Sequence, residues 1–185
     1  MKIIDTAIAD VKIIVPKVFG DARGYFFESW NRKEYENVGI RCEFIQDNES
    51  RSRFGVLRGL HYQAAPYTQA KLVRVIAGAV LDVAVDIRKD SPTFGRHVAV
   101  ELSAENKHQL FIPRGFAHGF AVLSQEVVFA YKCDNSYMPS HERGIAFDDP
   151  ALGIDWHVQP DQWILSEKDR RNPCFAEAEL LEAEA

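Results

Sequence analysis

The chain has 185 residues, 46% of them hydrophobic and 26% charged, which suits one soluble domain with a sizeable core. Its 22 Lys and Arg against 27 Asp and Glu give a formal net charge of −5, which argues against a nucleic-acid binder. No apolar run nears the roughly 20 residues that cross a bilayer, and the opening MKIIDTAIADVKIIVP lacks a signal-peptide h-region; the expectation is a cytoplasmic protein with no membrane contact. In chain order, β-branched and aromatic runs predict strands at 11–15, 24–30, 43–47, 55–62, 71–77, 79–87, 96–102, 108–112, 118–123, 126–133 and 143–147. NRKEYENVG at 31–39 predicts a two-turn surface helix ending at Gly39, and the acidic FAEAELLEAEA, from about 175 to 185, a frayed helix-prone tail.

So many short strands without βα alternation predict a mainly β fold with a few short helices, an antiparallel double-sheet sandwich or barrel, in a single domain over 1–185. Cys42, Cys133 and Cys174 show no C-x-x-C pairing and read as reduced thiols. No Walker loop and no G-x-G-x-x-G follows a strand, so P-loop and Rossmann readings fail.

Strand parity sorts the side chains. Over 57–63, Leu57, Gly59, His61 and Gln63 share one face, and Arg58, Leu60 and Tyr62 the other. Val127, Phe129, Tyr131 and Cys133 share a face; Leu81, Val83, Val85 and Ile87 form an apolar face opposite Asp82, Ala84 and Asp86. Isolated polar groups among apolar neighbours are what the mouth of a ligand-binding barrel requires.

PRGFAHGF at 113–120 carries P-x-G-x-x-H and resembles the second signature of the cupin jelly rolls. Gly55, His61 and Gly78 match the first, but Gln63 replaces its second histidine and Lys71 stands where its glutamate should be. Of a metal-binding set only His61 and His118 remain, and the lysine brings positive charge to where an ion would sit, so the expectation is no metal and no cofactor. FGDARGYFFES, QDNESRS, LRGLHYQ, KLVRV, DVAVDIRKDSPTFG, LSAENK, PRGFAHGF and LSEKD, in order from about residue 5 to 170, are similar to segments of the dTDP-4-dehydrorhamnose 3,5-epimerases.

That resemblance implies a homodimeric, metal-free cupin-type jelly roll acting on dTDP-4-keto-6-deoxy-D-glucose, with the RGYFFES segment crossing to the partner's sheet. It implies that His61 is the general base oriented by Asp169, that Tyr131 returns a proton from the other face, and that Lys71 stabilises the enolate oxygen. Arg23, Glu28, Gln46, Asn48, Arg58, His118, Glu142 and Lys168 would contact the nucleotide sugar, and Tyr137 would pack on the thymine. The chemistry asks for such a set, because a C–H beside a ketone is acidic only if a base meets it while a donor holds the developing oxyanion. Each residue taken singly has a structural alternative: His61 and His118 as hydrogen-bonded strand residues, Tyr131 as a rim tyrosine, Asp169 as one charge in a surface run. Asp82 and Asp86 are read as structural partners of arginines, and His97, His108, His141 and His157 as structural. A single-site C3 or C5 epimerase, a metal-dependent cupin oxygenase and a non-catalytic nucleotide-sugar binding module are the competing functions.

Overall fold

Two antiparallel sheets face each other in the computed structural model of the chain, which describes residues 1–181. The strands are β1 (Lys2–Asp5), β2 (Lys12–Val15), β3 (Phe19–Asp21), β4 (Gly24–Phe26), β5 (Gln46–Arg53), β6 (Leu57–Gln63), β7 (Lys71–Ala77), β8 (Ala79–Asp86), β9 (His97–Ser103), β10 (Gln109–Ile112), β11 (Phe116–Val122), β12 (Glu126–Cys133) and β13 (Glu142–Gly144). One sheet has the order β1-β2-β10-β7-β12-β5 and the other β13-β6-β11-β8-β9, while β3 and β4 pair only with each other. This is the expected double-sheet jelly roll, and among the described residues no helix is long and apolar enough to cross a membrane.

The sheets close on a shared core. Val73, Val75, Leu110, Val127 and Phe129 from the six-stranded sheet pack against Val80, Ala84, Phe116, Phe120 and Val122 from the five-stranded one. The face with Leu81, Val83, Val85 and Ile87 is apolar as predicted, but it points outward, under a layer that includes Ile145, Phe147, Trp156 and Leu181. Asp82 is therefore on the inner face, beside Ala84. A third cluster puts Tyr35 of the only α-helix among the described residues, α1 (Arg32–Asn37), over Ile14, Leu72 and Phe111. Asn31 caps that helix by accepting from the Glu34 N–H, and Gly39 closes it at φ +85.

Three expectations change. The strand predicted at 24–30 is only Gly24–Phe26, one arm of an exposed hairpin with β3. The strand predicted at 43–47 instead begins at Gln46 and runs to Arg53, fully paired with β12. The tail, as far as Leu181, is neither helical nor frayed. Leu181 bridges to Arg88 beside β8, the Glu179 carbonyl accepts from the Tyr62 hydroxyl at 2.7 Å, and Arg143 pairs with the Glu179 carboxylate at 2.6 Å. Its leucines supply the apolar cover that the outer face of β8 needs. The part of the predicted tail from 182 to 185 lies outside the described residues.

Candidate active site

Between the sheets, at one end of the core, lies a cavity of about 420 Å³. The six-stranded sheet contributes Gln46, Asn48 and Ser50 from β5, Lys71 from β7, and Phe129, Tyr131 and Cys133 from β12. Arg58, His61 and Gln63 from β6 and His118 and Phe120 from β11 face them, with Gln69, Tyr137 and Glu142 completing the wall. Parity accounts for β12, where Phe129, Tyr131 and Cys133 share a face. It accounts equally for β7, where Lys71 lies on the inner side with Val73 and Val75 while Leu72 faces out.

Parity fails on β6. It assigns Arg58 and His61 to opposite faces, yet both line the cavity. The reason is a bulge: His61 lies opposite His118 and Arg58 opposite Phe120, so three steps on β6 answer two on β11. Gly59 sits at its centre at φ +133, a region L side chains rarely adopt. A Cβ there would stand 2.5 Å from the Gly119 Cα.

His61 is held from behind. Its Nε2 lies 2.5 Å from Asp169 Oδ1, and the Ser166 hydroxyl donates to Asp169 Oδ2 at 2.6 Å. Burial alone would raise the Asp169 carboxyl. The bonds from His61 and Ser166, with help from the Gly59 N–H, outweigh it and keep the group below the usual carboxylate range. Asp169 therefore lies under the cavity floor, not on a charged surface. Ser166 was missed; its signal was the Ser-x-x-Asp spacing within LSEKD.

Lys71 stands across the cavity with its Nζ 6.0 Å from the Tyr131 ring centroid. Burial pushes its ammonium down from the ordinary value, against the pull of Cys133, Asp82 and Glu142. Burial likewise pushes the Tyr131 phenol up.

His118 is nearly buried, and its Nε2 lies 3.0 Å from both oxygens of Asp82. Asp82 thus partners a histidine and not the expected arginine, whereas Asp86 does pair with Arg88, at 2.7 Å. At the mouth, Tyr137 Oη donates to Glu142 Oε2 at 2.5 Å, and Lys168 Nζ approaches the same oxygen at 2.5 Å. Burial would raise the Glu142 carboxyl, but these two bonds bring it below its ordinary value.

Gln46 Nε2 donates to Asn48 Oδ1 at 3.0 Å, and Arg58 reaches Ser52 Oγ at 3.2 Å. Gln63, at the altered cupin position, spends its side chain on two loops, the one after β6 and the one before β13: its Nε2 donates to the Tyr67 and Ser136 carbonyls and its Oε1 accepts from the Met138 N–H. Arg23 and Glu28 are not in the wall of this cavity; Arg23 pairs with Asp21 at 2.6 Å on the hairpin, and Glu28 accepts from Asn31. His97, His108, His141 and His157 are likewise absent from the lining.

A base backed by a carboxylate, a cation and a phenol on facing walls can take a proton from carbon, hold the resulting oxyanion and return a proton from the other side. Comparisons with known proteins agree with that chemistry. The family model described as dTDP-4-dehydrorhamnose 3,5-epimerase matches residues 5–177. The chain is 57% identical over 182 residues to the dTDP-4-dehydrorhamnose 3,5-epimerase of Shigella flexneri, covering 98% of this chain and 99% of that one. It is 54% identical over 185 residues to the Salmonella typhimurium LT2 protein of the same name, at 98% and 100% coverage. The crystal structure of a dTDP-6-deoxy-D-glucose-3,5-epimerase from Legionella pneumophila Philadelphia 1, in complex with dTDP-4-keto-L-rhamnose, superposes with a TM-score of 0.95 at 53% identity, covering 100% and 99%.

Proposed function

This chain belongs to the dTDP-4-dehydrorhamnose 3,5-epimerase family, and from that membership we propose how its cavity works. The protein is an isomerase that inverts C3 and C5 of a dTDP-4-keto-6-deoxy sugar, the two carbons flanking the C4 ketone, in the synthesis of dTDP-L-rhamnose. His61 is the base. Asp169 holds its Nε2, leaving Nδ1 free to take the carbon-bound proton, and steadies the imidazolium that forms. Lys71 meets the negative charge as it moves onto the C4 oxygen. Tyr131 delivers a proton from the opposite sheet, which inversion requires, since one base returning its own proton restores the starting configuration.

A positioned base contributes roughly 10²- to 10⁴-fold in rate, and one oxyanion donor about 3–4 kcal/mol, so neither suffices alone. Arg58, Gln46, Asn48, Glu142 and Lys168 take the nucleotide sugar, Arg58 through its bidentate donors, and Tyr137 stacks on the thymine. Arg23 and Glu28 reach substrate from a second copy, in a homodimer whose exposed β3–β4 hairpin docks on its neighbour. The protein works in the cytoplasm, where nucleotide sugars are made.

One observation carries this reading: His61, backed by Asp169, shares one cavity with Lys71 and Tyr131 on the facing sheet. Incubation of the ketosugar in deuterated water tests it. Label is expected at both C3 and C5. His61→Asn is expected to abolish exchange while dTDP still binds. Exchange at one carbon only, or normal exchange in the variant, overturns the assignment.

A further inference from the structure

His118 is held as firmly as His61, but in a different electrostatic setting. Both Asp82 oxygens lie 3.0 Å from its Nε2, Asp82 is fully buried, and the Phe129 ring lies over the imidazole at 6.2 Å and 22°. The edge and the face of the ring are thus both fixed. A carboxylate has no proton to give at neutral pH, so Nε2 must carry the hydrogen in this bond. The only buried polar side-chain atom without a partner among the described residues is Asn172 Nδ2. His118 Nδ1, which makes no bond to the protein, therefore opens onto the cavity that the ring lines.

We propose that Asp82 is a positioning residue that locks His118 in its Nε2–H tautomer, so that Nδ1 presents a fixed hydrogen-bond acceptor to a hydroxyl of the sugar. This goes beyond the assignment of His118 as a contact residue, since it fixes the sign of the contact. The partner must donate, which selects an unmodified hydroxyl over an ether, a carbonyl oxygen or a phosphate oxygen.

The surroundings favour the neutral ring. Burial works against the charged imidazole, as do the charges of Lys71 and His61, and these outweigh the pull of Asp82. Asp82 also supports the ammonium of Lys71, so one buried carboxylate serves a cation and a neutral imidazole. Two histidines on adjacent strands, each tied at Nε2 to an aspartate, thereby divide their work: His61 accepts a proton from carbon, and His118 accepts only a hydrogen bond.

The inference rests on the cavity being the ketosugar site, but its primary test does not. Nitrogen-15 chemical shifts of the imidazoles in the full-length protein, assigned with a His118→Gln variant, are expected to show His118 Nδ1 without a proton between pH 6.5 and 8. A protonated Nδ1 in that range overturns the proposal, whether or not the protein turns over substrate.

Asp82→Leu, which keeps the branching at Cγ and removes the charge, is the second test. The tautomer lock should be lost, and kcat/KM for the ketosugar should fall about 10- to 100-fold, the scale seen when the partner orienting a histidine is removed. Binding of dTDP should change less than twofold. Unchanged imidazole shifts and kcat/KM, or an equal loss of dTDP and ketosugar affinity, overturn the proposal. Failure of the family reading would look different: wild-type protein would exchange no carbon-bound hydrogen, with the His118 shifts unaltered.

Discussion

Arg58 and His61 reach the same cavity because Gly59 lies between them, close enough to Gly119 that a Cβ would sit 2.5 Å from its Cα. The bulge that turns one strand's side chains to a common side depends on a residue without a side chain.

Gly59→Ala should therefore hurt both stability and activity. The positive φ and the backbone clash together are expected to cost at least about 2 kcal/mol, read as a lower urea midpoint at unchanged slope. Turnover should drop more steeply than the folded fraction, because Arg58 and His61 lose their common direction.

Asp86 sets an acid limit on stability. Burial would raise its carboxyl, but bonds from Arg88, Ser91 and Thr93 win and bring it down to about 2 from 3.8. Since the unfolded chain takes up this proton first, the stabilisation is complete above about pH 4 and is lost as pH falls toward 2, a term of roughly 2 kcal/mol. Asp86→Asn should be less stable by about that amount at pH 7 and show a flatter acid limb in denaturant titrations.

Lys71→Ala should reduce kcat by roughly 10²- to 10³-fold with little change in dTDP affinity, as expected for a donor that acts on charge developing in the transition state. Burial lowers the Lys71 ammonium, so the alkaline limb of kcat/KM should fall below the 10.5 of an ordinary lysine. Lys71→Arg should move that limb upward; a limb unmoved by the substitution would assign it to another group.

The hairpin supplies a fourth test. Tyr25 and Phe26 are 60% and 66% exposed, a large apolar area for a free surface. Tyr25→Ser with Phe26→Ser should break the proposed homodimer into monomers in sedimentation and raise KM more than it lowers thermal stability; a sedimentation profile unchanged by the pair would remove the hairpin from the interface.

Periodicity made most strands legible, and where parity was unbroken, as on β8 and β12, it grouped side chains that do share a face. The failures have physical causes. QDNESRSR reads as loop because Gln46, Asn48 and Ser50 face a cavity where an ordinary strand would face a core, so the apolar half of the alternation is missing. Parity found the apolar face of β8 but not which way it points, because the later segment that covers it, through Leu181, leaves no local trace in the strand. Asp169 and Asp82 act on histidines 108 and 36 positions away, and no spacing rule reaches that far. Only likeness to a family brought Asp169 into view.

β5 is the outermost strand of its sheet, and its side chains wall the cavity. A strand laid along that margin by a second copy, as in the proposed homodimer, would widen the wall itself, so that subunit contact and substrate grip would share one piece of backbone. Dilution of the protein should then register first as weaker saturation by substrate, well before any loss of fold.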